Sequence, residues 1–353
     1  MKQVLYAYQK LNAITQRDID LLGTNYKVSI NAFFYRKKTG VLKALWKDFW
    51  KALFVWNKAD FSLIVVRFAG YHGLIPLIFA KLNKIPALVI VGGTDAACLP
   101  GINYGNYRNK LLGFISNSNF RLAKNTIFVH ESLIYQKYTY DVNEPSEQGV
   151  KAFYKGPLKP FVVHNGYDAD VFKPIDNIER QPKACITAAG DLSTDVMVRR
   201  KGVDVILKTA RLCPEFTFTL VGSLSLPSHY YPLPNNVTLV DFLGRDALIK
   251  AFSSHQYYLQ ISMFEGFPNA LSEAMLCECI PVGSSVSGIP FIIGNTGVVV
   301  GKRSAESLAN ALKNNMIKDG KLARDRIKQS FTWEMRVNNF MSVIDAIEKE
   351  TYK

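Results

Sequence analysis

Short runs of strand-forming residues alternate with helix-like stretches along this chain, and the series runs twice. VLYAY (4–8), KVSINAFF (27–34), FSLIVVRF (61–68), ALVIVGG (87–93), TIFVHES (126–132) and FVVHNG (161–166) form the first series, with a helix near Gln16–Leu22. ACITAAG (184–190), FTFTLVG (216–222), VTLVDFLG (237–244), QYYLQIS (256–262) and CIPVGSS (279–285) form the second, with GVDVILKTARLC (202–213) as a helix. Strands separated by helices pair in parallel, because a parallel neighbour needs a crossover. The pattern predicts two doubly wound, Rossmann-like α/β domains facing a cleft. They span residues 1–170 and 171–330, and a terminal helix in 331–353 crosses back to the first. DVNEPSEQG and YKGPLKP, between Tyr138 and Lys159, read as loop text.

The chain is 353 residues long and 48% hydrophobic, which suits a globular protein of two domains. GLIPLIFA (73–80) and IPALVIVGG (85–93) are too short to cross a membrane. The start, MKQVLYAYQK, reads as a first strand with no signal-peptide core. Cys98, Cys185, Cys213, Cys277 and Cys279 show neither metal spacing nor an even framework, which suits a reducing cytoplasm. Five scattered histidines suggest no metal cluster.

Charge is uneven. Residues 1–175 carry 23 Lys and Arg against 11 Asp and Glu, net +12, whereas the remainder is net +2. The first half therefore expects an anionic partner. In GVLKALWKDFWKALFVWNK (40–58), Leu42, Leu45, Trp46, Phe49, Trp50, Leu53 and Phe54 recur at helical spacing, with Lys43, Lys47, Lys51 and Lys58 among them. Such a helix either meets an anionic membrane surface, through Trp46, Trp50, Lys47 and Lys51, or packs its stripe on the sheet.

FEGFPNALSEAMLCECIPV (264–282) concentrates the chemistry. Glu265 falls at the carboxyl end of a strand, where open α/β sheets bind ligands. Gly266 lets backbone approach a ligand, Pro268 suits a helix start, and Asn269 opens a helix whose free amides suit phosphate oxygens. Glu273 can face the same crevice and accept from sugar or ribose hydroxyls, although two solvated glutamates beside a plain loop would read alike. Arg199, Arg200 and Lys201 precede Gly-Val-Asp in a βα loop and could neutralise a diphosphate. TAAGDLST (187–194) lacks the GxGxxG spacing that hydride chemistry would use.

These segments resemble a known family. EGFPNALSEAM (265–275) is similar to the paired-glutamate motif of retaining GT-B glycosyltransferases of family 4, of prokaryotic surface-glycan type. HNGYDADVFKP (164–174), RKGVDVILKTA (200–210), LVG (220–222), NVTLVDFLG (236–244) and FTWE (331–334) follow in that family's order. The resemblance implies that Glu265 contacts the donor sugar, with Gly266, Phe267, Pro268 and Asn269 against sugar and diphosphate. It gives Glu273 the ribose hydroxyls, and Lys201 with Arg199 or Arg200 the departing diphosphate. Nucleobase contacts would come from Phe242–Arg245, with Leu243 and Arg245 named, and acceptor-side roles from Thr94, Asp95 and His72. His72 and His130 also read as packed histidines.

Three departures stand out: Asp191 follows Gly190 where the family often has Arg, Gly92-Gly93-Thr94-Asp95 replaces a His, and the glycine-rich first loop is absent near Asn12–Asp18. The combined expectation is a retaining, metal-independent hexosyltransferase with no cofactor beyond its UDP- or GDP-linked donor. It would act at the inner face of the cytoplasmic membrane on a polyprenyl-linked, other lipid-linked or surface-polysaccharide acceptor, as in lipopolysaccharide or capsule assembly. The rivals are a nucleotide-sugar epimerase or soluble glycan synthase on the same fold and, from another class, a basic nucleic-acid-binding protein. No nucleic-acid partner is expected on the first reading.

Overall fold

A computed structural model describes residues 2–35, 39–316 and 319–351. Residues 1, 36–38, 317–318 and 352–353 of the expected domains lie outside these. The first half supplies β1 (Gln3–Tyr8), β2 (Lys27–Ala32), β3 (Phe61–Arg67), β4 (Ala87–Val91), β5 (Asn125–Phe128), β6 (Gln136–Lys137), β7 (Glu147–Gln148) and β8 (Lys159–Val162). The second supplies β9 (Gln181–Ala188), β10 (Thr217–Val221), β11 (Val237–Val240), β12 (His255–Gln260), β13 (Ile280–Ser284) and β14 (Val298–Val300). Two six-stranded parallel sheets result, ordered β2-β1-β3-β4-β5-β8 and β11-β10-β9-β12-β13-β14. Helices cover both faces, so a central strand such as β3 is apolar without alternation: Leu63, Ile64, Val65 and Val66 are all buried. Strand order reverses between β1 and β3 and again between β9 and β12. A crevice opens at the carboxyl ends of the strands at such a reversal.

The text read as loop between Tyr138 and Lys159 contains more order than expected. Within it β7 pairs antiparallel with β6, which lies just before it, and a short helix covers Val150–Phe153. Tertiary bonds hold this piece. The Tyr138 hydroxyl donates to the Met263 carbonyl at 3.1 Å, and Gln136 accepts from the Ser287 amide at 3.0 Å. The helix Trp333–Thr351 returns to the first sheet, where Phe340, Ile344 and Ile347 join Val4, Tyr6, Leu63 and Leu88 in one apolar cluster.

The helix Gly40–Phe54 is built inside out, and this removes the core alternative for its aromatic stripe. Asp48 is its buried residue, 2% exposed, accepting from Asn31 at 2.9 Å and Lys51 at 3.1 Å. Leu42, Trp46, Phe49, Trp50, Leu53 and Phe54 face outward, with Trp46 61% and Phe54 73% exposed. Their rings stack on one another: Trp46 on Phe49 at 5.5 Å, and Trp50 on Phe54 at 5.0 Å. Lys51, expected at the membrane, turns inward to Asp48 because that buried carboxylate needs a cation. Among the described residues no helix is long and apolar enough to cross a membrane.

Candidate active site

A crevice of about 290 Å³ lies between the two sheets at their carboxyl ends. Its first-half wall includes Ile14, Arg67, Phe68, Gly92, Gly93, Thr94 and Tyr104, and its second-half wall Ala188, Arg200, Lys201, Gln260 and Glu265 through Ala270. Two backbones meet at its centre. A Cβ on Gly266 would stand 2.3 Å from the Gly92 carbonyl oxygen, so only glycine permits this approach of the two halves.

Glu265 is 9% exposed and serves two cations. Lys201 Nζ donates to Oε1 at 2.6 Å, and Arg200 Nη2 to Oε2 at 3.4 Å. Ser262 Oγ also donates to Oε1, at 3.1 Å, and receives in turn from Gln260 Nε2 at 2.8 Å. Burial alone would push the Glu265 carboxyl up, but Lys201 and then Arg200 outweigh it and hold it below its ordinary value. Burial pushes Lys201 down, against the pull of Glu265. Both shifts are downward but act oppositely on charge: the Glu265 carboxylate is favoured because it gains from two cations, whereas burial disfavours the charged Lys201 and the neighbouring Arg200 adds to that. The site therefore stays ionised with an excess of positive charge.

The local chain explains how this trio forms. Arg199 and Arg200 end a helix, Asp195–Arg200, rather than lying in a loop as expected. Lys201 caps it, and Gly202 at φ +71° turns the chain where a Cβ would lie 2.0 Å from the Ile261 carbonyl oxygen. The Met263 amide then donates to the Arg200 carbonyl at 2.8 Å, bringing Lys201 beside Glu265. Adjacent helical residues point about 100° apart, so Arg199 leaves the crevice. It donates to the Gly101 carbonyl at 3.2 Å and lies 3.9 Å from Asp195.

The structure brings Glu265, Lys201, Arg200, Gly266, Phe267, Pro268, Asn269 and Thr94 to the crevice. Within that set, the Phe267 ring packs on His164 at 5.2 Å and Phe331 at 5.3 Å. The Asn269 amide oxygen accepts from Asn165 and the Tyr167 hydroxyl, each at 3.0 Å. Thr94 bonds the Tyr104 hydroxyl at 2.7 Å, and Arg200 covers the Tyr104 ring at 4.4 Å.

Other expected residues lie off the crevice lining, Asp95 and His72 on a cavity that adjoins it. Glu273 is off the crevice lining, 3.6 Å from Arg17 of the first half, and burial raises its pKa against that cation. Leu243 packs against the core edge, and exposed Arg245 pairs with Asp246 at 3.5 Å. Asp95 is fully buried and accepts from the amides of Ala69 at 3.0 Å, Gly92 at 3.2 Å and Gly93 at 3.1 Å. It braces the turn, because those amides need an acceptor inside. The buried His72 ring is bonded to the Arg67 carbonyl at 2.7 Å, and burial pushes its pKa down to about 4. His130 is likewise pushed down to about 4 by burial.

No sequence motif marks Arg67, although a lone cation ends the apolar run FSLIVVRF. It is 1% exposed and lines the crevice floor. Its Nη1 lies 3.1 Å from Asp18, which Arg336 of the terminal helix also binds at 2.5 Å. Two guanidiniums share one carboxylate, and Arg67 Nε has no hydrogen-bond partner among the described residues. No group of three or more His, Cys, Asp or Glu among the described residues is arranged to hold a metal ion.

Comparison with known proteins supplies the context. Residues 192–333 match the family described as Glycosyl transferases group 1. The chain is 20% identical over 294 residues to a subunit of the phosphatidylinositol N-acetylglucosaminyltransferase of Arabidopsis thaliana, covering 76% of this chain and 64% of that one. It is 24% identical over 189 residues to the D-inositol 3-phosphate glycosyltransferase of Mycobacterium avium (strain 104), covering 49% of this chain and 44% of that one. The matches thus span less than two thirds of these relatives' own length. Among solved structures, a sucrose-phosphate synthase from Thermosynechococcus elongatus superposes with a TM-score of 0.74 at 15% identity, covering 98% of this chain and 99% of that one. Anabaena HepE in complex with UDP and glucose gives 0.70 at 14%, covering 98% and 100%. Residues 192–333 therefore carry the similarity to glycosyl transferases group 1, within a chain whose two facing parallel sheets have the GT-B architecture.

Proposed function

We propose that this chain is a glycosyltransferase that moves a sugar from a nucleotide diphosphate donor, UDP- or GDP-linked, to an acceptor hydroxyl. The observation that carries the reading is the buried Glu265–Lys201–Arg200 cluster at the carboxyl ends of both sheets, inside the segment that matches the family. Lys201 and Arg200 would take up the diphosphate, and the first turn at Asn269 and Ala270 lines the same crevice. Relieved of its cations, Glu265 would accept from the donor sugar's hydroxyls.

The acceptor oxygen bonds to the anomeric carbon as that carbon's bond to the diphosphate breaks. The hydroxyl proton passes to the departing diphosphate, so atoms and charge balance without a cofactor. This same-face course retains anomeric configuration and requires no metal. Supporting an acceptor at a membrane surface is the outward aromatic face of the helix Gly40–Phe54, with exposed Lys43 and Lys47 beside it. A lipid-linked or surface-polysaccharide acceptor at the cytoplasmic face fits that placement.

The test is transfer of radiolabelled sugar from UDP- and GDP-sugars to a bacterial lipid extract. Wild type should label the extract, and folded Glu265→Ala or Lys201→Ala should not. Undiminished labelling by either variant would overturn the assignment. Donor isomerised without any acceptor would replace it with an epimerase.

A further inference from the structure

Two further cavities follow the crevice in series on the first half, and a nucleotide-sugar donor accounts for neither. The crevice shares Phe68 and Thr94 with a cavity of about 440 Å³. That cavity shares Tyr35 with a groove of about 660 Å³ between the end of β2 and the helix Gly40–Phe54. Each is of ligand size, a range of roughly 300–1,000 Å³.

The outer groove is lined by Phe33, Phe34, Ala44 and Trp46, with Lys43, Lys47 and Asp48, already paired with Lys51, on its helix side, and it opens beside the exposed aromatic face. The middle cavity holds two cations, Lys10 and Arg108, among aromatic rings. Among its described lining residues the one carboxylate, Asp95, is occupied by three backbone amides and neutralises neither. The inner crevice is the reaction site proposed above.

We infer that the three cavities form the seat of a single anionic amphiphile, which is the acceptor. Its hydrocarbon chain lies in the outer groove, a phosphate-type anion lies by Lys10 and Arg108, and the reacting hydroxyl passes Phe68 and Thr94 into the crevice. A free polysaccharide would leave the apolar groove unused, and a neutral lipid would bring no anion to Lys10, or to Arg108, whose bonds go to the neutral Asn103 and Gly105 oxygens. The inference rests on the glycosyltransferase reading for the role of the crevice, but not for the binding itself.

Calorimetric titration decides it, with dodecyl phosphate, dodecanol and inorganic phosphate as probes, each below micelle-forming concentration. Dodecyl phosphate should bind at least about tenfold more tightly than either other probe, because it gains both the groove and a charge-assisted contact. Lys10→Ala should remove most of the advantage over dodecanol. Ala44→Trp, which fills the groove, and Phe34→Ser, at an exposed groove residue, should each remove most of the advantage over inorganic phosphate. Each variant should keep the wild-type melting point to within a few degrees.

Dodecyl phosphate binding no tighter than inorganic phosphate overturns the proposal, as does full affinity retained by all three variants. Melting shifts induced by UDP and by GDP on the same proteins report the donor site separately. The absence of both in wild type would sink the glycosyltransferase reading, while the alkyl phosphate titration still decides this one.

Discussion

Glu265→Gln tests the logic of the charge cluster. The side chain keeps its shape but loses the charge that balances Lys201 at 2.6 Å and Arg200 at 3.4 Å. At an effective dielectric of about 20, those separations correspond to attractions of about 6 and 5 kcal/mol. Desolvation offsets most of this, and removing one partner of a buried ion pair costs about 3–5 kcal/mol because a charge is left uncompensated. At roughly 2–4 °C per kcal/mol for a domain of 150–250 residues, the second half should melt roughly 6–20 °C lower.

The sign of the ligand effect is the sharper part. In wild type, a nucleotide diphosphate must compete with Glu265 for the two cations; in the variant it meets them unpaired. UDP or GDP, whichever the wild type binds, should therefore raise the melting point of Glu265→Gln by more than that of wild type, while transfer falls. Differential scanning fluorimetry with and without the nucleotide reads both effects. A smaller or equal shift in the variant would refute the claim that Lys201 and Arg200 are the diphosphate's partners.

Gly266→Ala should lose most activity and about 1–3 kcal/mol of stability, since its Cβ must displace the Gly92 carbonyl 2.3 Å away and force the two halves apart; activity and urea melts check it. Stability should fall as pH drops from 6.5 towards 4. His72 and His130 have folded pKa values near 4 against 6.5, so the unfolded chain takes up more protons in that window. Below it His72 contributes a loss of about 3 kcal/mol, which a His72→Gln variant should lack in a pH-resolved urea titration. Lys47→Ala should weaken binding to phosphatidylserine vesicles by about fivefold, and Trp46→Ala by at least about tenfold. Lys51→Ala should leave vesicle binding unchanged but destabilise the fold, because its partner Asp48 is buried.

The βα alternation was legible because central strands buried on both faces carry apolar runs without alternation, as Leu63–Val66 of β3 and all of β4 do. The order of β6, β7 and Val150–Phe153 was not, because bonds to Met263 and Ser287 hold it rather than local propensity. Glu265 could be read from its place at a strand end. Which of Arg199 and Arg200 joins it could not, since that depends on their lying in the helix Asp195–Arg200. The resemblance implied an acceptor-side role for Asp95, yet the amides of Ala69, Gly92 and Gly93 claim its carboxylate. Arg67 needs Asp18, 49 positions earlier, and Arg336 from the terminal helix to be held at the crevice, a juxtaposition only the fold creates.

The central claim is that this crevice binds a nucleotide diphosphate through Lys201. The most direct measurement is calorimetric titration of UDP and GDP into wild type and Lys201→Ala. The account predicts saturable binding of at least one nucleotide by wild type, weakened about 10- to 100-fold in the variant through loss of a charge-assisted bond. Wild type that binds neither nucleotide, or a folded variant that binds as tightly as wild type, would contradict it.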